Sequence, residues 1–202
     1  MLNPGLKDSI SASALPLGAS TSANQEQIYN LWADSARFDA FSRLRVSEPT
    51  NLFSVSAQYG AVTVQMERGA TGTGVTPVHN ANTRMVELVC TAGSGTSYMQ
   101  SFKYIPYQPG KSHEIAVTFV AGTRVAGAVF EAGYFDFYNG LFFRQTGTTL
   151  SVVRRTSTSG SVVDNVVNQA DWNLDKLDGT GASGYTLDDT KAQILFIDFQ
   201  FL

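Results

Sequence analysis

The sequence predicts an all-β protein, an antiparallel jelly-roll-like β-sandwich preceded by an extended N-terminal arm and one short helix. Apolar and polar residues alternate in many short segments, turn signals separate nearly all of these segments, and helical periodicity is absent beyond residue 50. Only 15% of the 202 residues are charged, below the ~25% of ordinary domains, while Ser and Thr each occur 19 times. We expect the arm, helix and connector in 1–50 and the sandwich in 51–202.

The N-terminal segment is predicted to be an arm that leads into a helix. Residues 1–20 are small, are interrupted by Pro and Gly, and have little to bury. Ser22 and Gln25 form a capping-box pattern, which favours a helix over 23–35. The apolar stripe of this helix consists of Ile28, Leu31 and Trp32. So short a helix needs a surface to pack on, either in its own domain or on another subunit.

The β-domain is predicted from period-two alternation. A first half-buried strand is expected at 62–67, where Val62, Val64 and Met66 alternate with polar residues. The further candidate strands are 85–90, 98–104, 115–119, 126–136, 141–146, 149–156 and 192–201. The turn signals are Gly93-Ser94-Gly95, Pro109-Gly110, Asn139-Gly140, Thr146-Gly147 and Ser159-Gly160. Asn139-Gly140 favours a type I′ hairpin turn, because both residues tolerate positive φ.

Charge and cysteine content exclude several classes of protein. A net charge of −3 and a pI near 5.3 do not suit a general nucleic-acid or anionic-membrane binder. No apolar run reaches the ~18 residues that span a bilayer, so we expect no membrane insertion. The single cysteine, Cys90, excludes an intramolecular disulfide framework and suits assembly in a reducing cytoplasm. We interpret Cys90 as a small core residue on an apolar strand face.

No segment predicts a metal site or a cofactor site. The D-x-N-x-D pattern of 171–175 starts like a calcium loop, but Lys176 and Ala182 occupy the sixth and twelfth positions. A turn in which Asp and Asn side chains bind their own backbone is the better interpretation. His79 and His113 are far apart and lack metal-ligand spacing.

No pair of carboxylates indicates catalysis, and we expect that the protein is not an enzyme. Glu131 and Asp136 are separated by an odd number of residues and would point to opposite faces of one strand. Asp188 and Asp189 are adjacent and would also diverge in an extended chain. An acid–base pair would therefore have to be assembled across strands.

Aromatic residues are the candidate contact residues. Arginines and aromatics interleave over 37–45, but nearby acidic residues balance the charge, so a connector anchored by its aromatics is favoured over a nucleic-acid site. Aromatic residues of 134–138 could stack on sugars or fill a subunit interface, and core packing is the alternative for at least half of them. The candidate interface or glycan contacts are Trp32, Phe38, Phe41, Tyr134, Phe137 and Tyr138.

Several segments resemble a family of tailed-phage virion proteins. The segment FDAFSRLRVS (38–47), with Leu52-Phe53 behind it, resembles an opening common in that family. The segment WNLDKLDGTGASG (172–184) is the longest and most specific match. The other matching segments are 17–25, 133–141, 152–156, 187–188 and 194–199. Ser42 stands where the family usually has glycine, and Ala182 where it often has proline.

This resemblance implies a structural component of a phage virion, in the tail or adsorption apparatus, assembled in the cytoplasm of the host bacterium. The alternatives are a receptor- or glycan-binding module of a fibre or baseplate, and a capsid decoration or head-fibre protein. The implied partners are other virion proteins and further copies of the chain, as a trimer or hexamer, with a host surface glycan in the second case. No catalytic or binding residue carries over.

The C-terminal strand of 192–201 is apolar on both faces, and relatives typically continue beyond this point. An apolar strand at the end of a chain leaves an unpaired, adhesive edge. The sequence therefore predicts either a shortened relative or fragment, or a domain that a neighbouring subunit completes.

Overall fold

The computed structural model describes residues 50–91 and 94–199. These residues form antiparallel strands and one 3₁₀ turn, Gln169–Asp171, so the predicted all-β class is confirmed. The strands are β1 Met66–Gly72, β2 Val75–Asn80, β3 Met85–Cys90, β4 Gly95–Ser101, β5 His113–Phe119, β6 Val129–Phe135, β7 Gly140–Thr146, β8 Thr149–Thr156, β9 Val163–Asn168 and β10 Gln193–Phe199. The predicted arm and the predicted helix over 23–35 lie outside the described residues.

Two compact units divide the described residues between 107 and 108. We name 50–107 the ribbon unit and 108–199 the sandwich unit. The division falls within the predicted domain 51–202, whose boundary near residue 50 stays a prediction.

The ribbon unit consists of one long antiparallel ribbon with a preceding irregular segment. Strands β1 and β4 pair from Met66↔Ser101 to Gly72↔Gly95, and β2 and β3 continue the ladder from Val75↔Cys90. Backbone bonds on either side of the break, such as Thr91 N–H to Gly74 O at 2.8 Å, join the two ladders. None of the described residues of this unit is fully buried.

The sandwich unit has a β-sandwich-like architecture. A four-stranded meander in the order β6-β7-β8-β9 lies against a two-stranded sheet of β10 and β5. The ring of Phe119 in β5 contacts those of Phe130 and Phe143, with centroids 5.3 and 5.4 Å apart. The most deeply buried apolar residues all belong to the meander: Ala132, Phe142, Phe143, Leu150 and Val153.

Several predicted turns are confirmed. Gly110 has φ 81°, and the Lys111 N–H donates to Gln108 O, as expected when Pro-Gly occupies the centre of a type II turn. Thr146 pairs with Thr149 across a two-residue loop whose first residue, Gly147, has φ 54°. Glycine in that place is typical of a type II′ hairpin, whose twist matches that of the strands.

The predicted first strand at 62–67 is wrong. Val62 has φ 49°, and its carbonyl accepts the N–H groups of Gln65 and Met66 at 3.1 and 3.0 Å, so 62–65 form a turn. Strand β1 begins only at Met66. Local alternation failed here because Val62 O closes a turn within the segment, and the ladder with β4 starts only at Met66.

Two strands were not predicted from the sequence. Strand β2 contains Pro77, which normally argues against a strand, but its ladder has only β3 as a partner, and an edge position tolerates proline. Strand β9 reads Val-Asp-Asn-Val-Val-Asn and has no period-two pattern. Cys90, predicted to be a core residue, is exposed because a two-stranded ribbon offers no interior.

Candidate interaction surface at the tip of the four-stranded sheet

The hairpin between β6 and β7 ends in four residues, 136–139, rather than in the predicted type I′ turn. Phe135 pairs with Gly140, and the Asp136 N–H donates to Asn139 O at 2.8 Å. Asn139 does not have positive φ. The carboxylate of Asp136 accepts the N–H groups of Tyr138 and Asn139, both at 2.7 Å, and these bonds stabilise the wider turn.

An exposed aromatic pair lies at this tip. The side chains of Phe137 and Tyr138 are 72% and 57% exposed, and their rings meet edge to face with centroids 5.1 Å apart. The Ser157 N–H donates to Asn139 Oδ1 at 3.3 Å, which places the Ser- and Thr-rich loop between β8 and β9 beside the tip. Apolar rings beside hydroxyl groups can contact either a sugar or a protein surface.

Tyr134, another of the predicted contact residues, does not belong to this exposed pair. Tyr134 is half-buried and contacts Phe199 and His113, with ring centroids 5.9 and 6.4 Å apart. Tyr134 therefore packs within the sandwich unit, and its role as an interface or glycan contact stays a prediction. The remaining three, Trp32, Phe38 and Phe41, lie outside the described residues.

A ladder of four charged side chains crosses the sheet beneath the tip. Arg144 donates to Glu131 Oε1 at 2.6 Å and to Asp164 Oδ2 at 2.6 Å. Arg155 binds both carboxylate oxygens of Asp164, at 2.8 and 3.0 Å. The hydrogen bonds from Arg155 and then those from Arg144 lower the pKa of Asp164 to about 2, although burial acts in the opposite direction.

The charged ladder also covers an apolar residue. Both guanidinium groups lie over the ring of Phe142, at 5.2 Å for Arg144 and 5.0 Å for Arg155, and the ring of Phe135 is 4.4 Å away. Cation–π contact and ion pairing thus act together on one face of the sheet. The ladder links side chains from all four strands of the sheet.

Asp189 joins three segments at the opposite end of the sheet, and sequence analysis missed this role. Its carboxylate accepts hydrogen bonds from Nε and Nη2 of Arg124 at 2.9 and 3.1 Å. It also accepts one from Nε2 of Gln145 at 2.8 Å. The side chain of Asp189 is only 4% exposed. Asp188 is exposed and binds the N–H and hydroxyl of Thr190 instead. No local sequence signal distinguishes the two aspartates.

The segment 171–184 forms the predicted Asx-rich turn. Asp175 accepts the backbone N–H groups of Ser183 at 2.7 Å and Leu177 at 2.8 Å, and these bonds lower its pKa. Asp178 accepts the hydroxyl and N–H of Thr180, which lower its pKa as well. These carboxylates are used to hold the loop, and this confirms the prediction of self-capping turns.

The described residues contain no cluster of three or more His, Cys, Asp or Glu side chains able to hold a metal ion. Within 50–91 and 94–199, no helix is long and apolar enough to cross a membrane. His79 is half-buried and bonds to Ala57 O through Nε2 at 2.8 Å, which anchors the irregular segment to the ribbon.

No protein-family model, curated protein or solved structure matches the chain.

Proposed function

We propose that this chain is a structural component of a tailed-phage virion, in the tail or adsorption apparatus, assembled in the host cytoplasm. It works by packing against copies of itself and against other virion proteins. The ribbon unit is the observation that carries this proposal, because a two-stranded ribbon is at best marginally stable in water. No described residue of this unit is fully buried, so neighbouring subunits are a natural source of the missing burial.

Exposed apolar side chains of the sandwich unit also support the proposal. Ile194 and Phe196, on the outer face of β10, are 72% and 55% exposed. Adjacent exposed apolar residues are typical of interaction surfaces. The phage assignment rests on the resemblance of segments 38–47 and 172–184. The jelly-roll arrangement, the N-terminal arm and the short helix belong to the same proposal.

The assembly part is tested by light scattering on the purified full chain and on the chain without residues 1–50. We expect an oligomer, a trimer or a hexamer. The number of subunits per particle should change when residues 1–50 are deleted. A strictly monomeric full chain at high concentration would contradict the proposal. Mass spectrometry and antibody labelling of purified phage particles test the virion assignment and show whether the protein lies in the tail or, alternatively, on the capsid or a head fibre.

We also propose that the protein has a structural role and is not an enzyme. Oε1 of Glu131 and both carboxylate oxygens of Asp164 bind arginines, and the pKa of Asp164 is lowered to about 2, the opposite of what a general acid needs. Incubation with host polysaccharide should therefore release no new reducing ends. Release that is abolished by Glu131→Gln would contradict a purely structural role.

A second candidate function is glycan or receptor binding by the exposed tip, favoured by the Phe137–Tyr138 pair. On a glycan array, the double variant Phe137→Ala/Tyr138→Ala should lose a signal that the wild type shows. Tyr185→Ala is the matched control, because Tyr185 is also in the sandwich unit and is 54% exposed. An array without signal for the wild type would remove this candidate.

A further inference from the structure

Strand β9 is an edge strand with an open side. It pairs with β8, and in the described part of the chain no other strand lies beside it. The two-residue loop makes Thr146 and Thr149 a hydrogen-bonded pair, so alternate residues along β8 bond to β7 and the others to β9. This alternation points the backbone N–H and C=O groups of Asp164, Val166 and Asn168 away from the sheet.

This edge lacks the devices that usually prevent strand addition. Strand β9 contains no Lys and no Pro, and its one charged residue, Asp164, is bound by Arg155 and Arg144. Its valines are also exposed, with Val163, Val166 and Val167 at 44%, 46% and 45%. Val152 of β8 lies opposite Val167 and extends the apolar surface at 40% exposure.

The strand has an antiparallel register in which it is complementary to itself. A twofold axis perpendicular to the sheet keeps the same face of both copies on the same side of the joined sheet. Even-numbered residues of one copy must therefore lie opposite even-numbered residues of the other, and odd opposite odd. An axis through Val166 places Asp164 opposite Asn168 of a second copy, whose amide can donate to the carboxylate. An axis through Asp164 would instead place two carboxylates opposite each other, which is unfavourable. Between these two registers, charge therefore favours the one centred on Val166.

We propose that β9 pairs antiparallel with β9 of a second copy of this chain, with Val166 on the twofold axis. The contact joins two four-stranded meanders into one continuous sheet, and it deepens the proposed function by naming one interface between copies. Main-chain hydrogen bonds from the outward-facing residues supply the attraction. A twofold contact by itself produces dimers, and together with a threefold contact it produces hexamers.

Cysteine cross-linking of the full chain tests the register. In a Cys90→Ser background, Val166→Cys should form a covalent dimer under mild oxidation, because a directly opposed hydrogen-bonded pair has Cα atoms about 5.5 Å apart, within the range of a disulfide. Val163→Cys is the matched control on the same strand. In this register the two copies of position 163 are roughly 20 Å apart, so this variant should not cross-link.

Light scattering of Val166→Pro tests the contact without a cross-link. The Val166 N–H faces away from β8, so proline removes a bond to the second copy and leaves the β8–β9 ladder intact. We expect the native circular dichroism spectrum and half the wild-type mass. The control Leu174→Lys, at a residue of the 171–184 turn that is 91% exposed, should keep the wild-type mass.

The outcomes separate this inference from the proposed function. If Val166→Pro remains as large as the wild type and Val163→Cys cross-links as well as Val166→Cys, β9 is not the interface, although assembly through another surface stands. A monomeric wild type without cross-links overturns both the β9 contact and the packing function. Should Val166→Pro fail to fold, the two cysteine variants decide, because each conserves side-chain size closely.

Discussion

Asp188 and Asp189 are chemically identical neighbours that have opposite environments. The turn at 189–190 directs Asp188 into solvent and Asp189 toward Arg124 and Gln145. A buried carboxylate with a bidentate arginine and an amide partner is satisfied, and removing its charge leaves the arginine unpaired. The position of Asp189 in the fold, rather than its residue type, determines how much it stabilises.

Asp189→Asn should lower the free energy of unfolding by about 2–4 kcal/mol, somewhat less than for a fully buried pair because the side chain of Arg124 is 33% exposed. Asp188→Asn, which affects only the exposed bonds to Thr190, should leave the free energy of unfolding nearly unchanged. Urea unfolding of both variants measures the difference. Equal losses would contradict the assigned role of Asp189.

The low pKa of Asp164 makes stability depend on pH. The folded pKa of about 2 lies below the unfolded value of ~3.9, so the carboxylate stabilises the fold above about pH 4 and this stabilisation is lost as pH falls toward 2. The isosteric variant Asp164→Asn should be less stable at pH 6, by about 1–2 kcal/mol after solvent screening, and should lose less stability on acidification. Urea unfolding from pH 6 to pH 2.5 checks this; parallel pH curves would contradict it.

At the scale of elements, the β6–β7 hairpin depends on two glycines that allow close backbone approach. A Cβ at Gly133 would lie 2.6 Å from Leu141 O and from Phe142 Cα, both backbone atoms of the paired strand. A Cβ at Gly140 would collide with Phe135 in the same way. The sequence shows these glycines, but only the register shows what each one faces.

Gly133→Ala should destabilise the chain by about 2–3 kcal/mol, because the added methyl must push β6 away from the centre of the sheet. Gly60→Ala is the control, since nothing lies within 4 Å of the added Cβ there, and its effect should stay within about 0.5 kcal/mol. Thermal unfolding compares the two. A neutral Gly133→Ala would mean that β6 and β7 lie farther apart than the structure indicates.

At the scale of the whole molecule, deep burial is concentrated in the meander. Strands β7 and β8 contain Phe142, Phe143, Leu150 and Val153, whereas the ribbon unit contains no fully buried residue within 50–91 and 94–107. Local stability follows the density of buried apolar contacts. The two units are therefore expected to open with different free energies.

Hydrogen exchange of the dilute full chain should show the slowest amides in Gly140–Thr146 and Thr149–Thr156 and much faster exchange in Val75–Asn80 and Met85–Cys90. Raising the protein concentration should slow the ribbon, because assembly supplies the burial it lacks. Uniform protection at all concentrations would contradict this difference between the units.

The sequence by itself determined the all-β class, most strands from β3 onward and the turns at Pro109-Gly110 and Thr146-Gly147, because alternation and positive-φ glycines act within a few residues. It also placed Phe137 and Tyr138 in one segment. The tertiary structure decided that Val62–Gln65 is a turn, that β9 is a strand and that Cys90 is exposed. It also decided that Arg144 and Arg155 meet Asp164 and that Arg124 meets Asp189. Those features depend on which strands become neighbours, and pairing between distant segments leaves no signal in local periodicity.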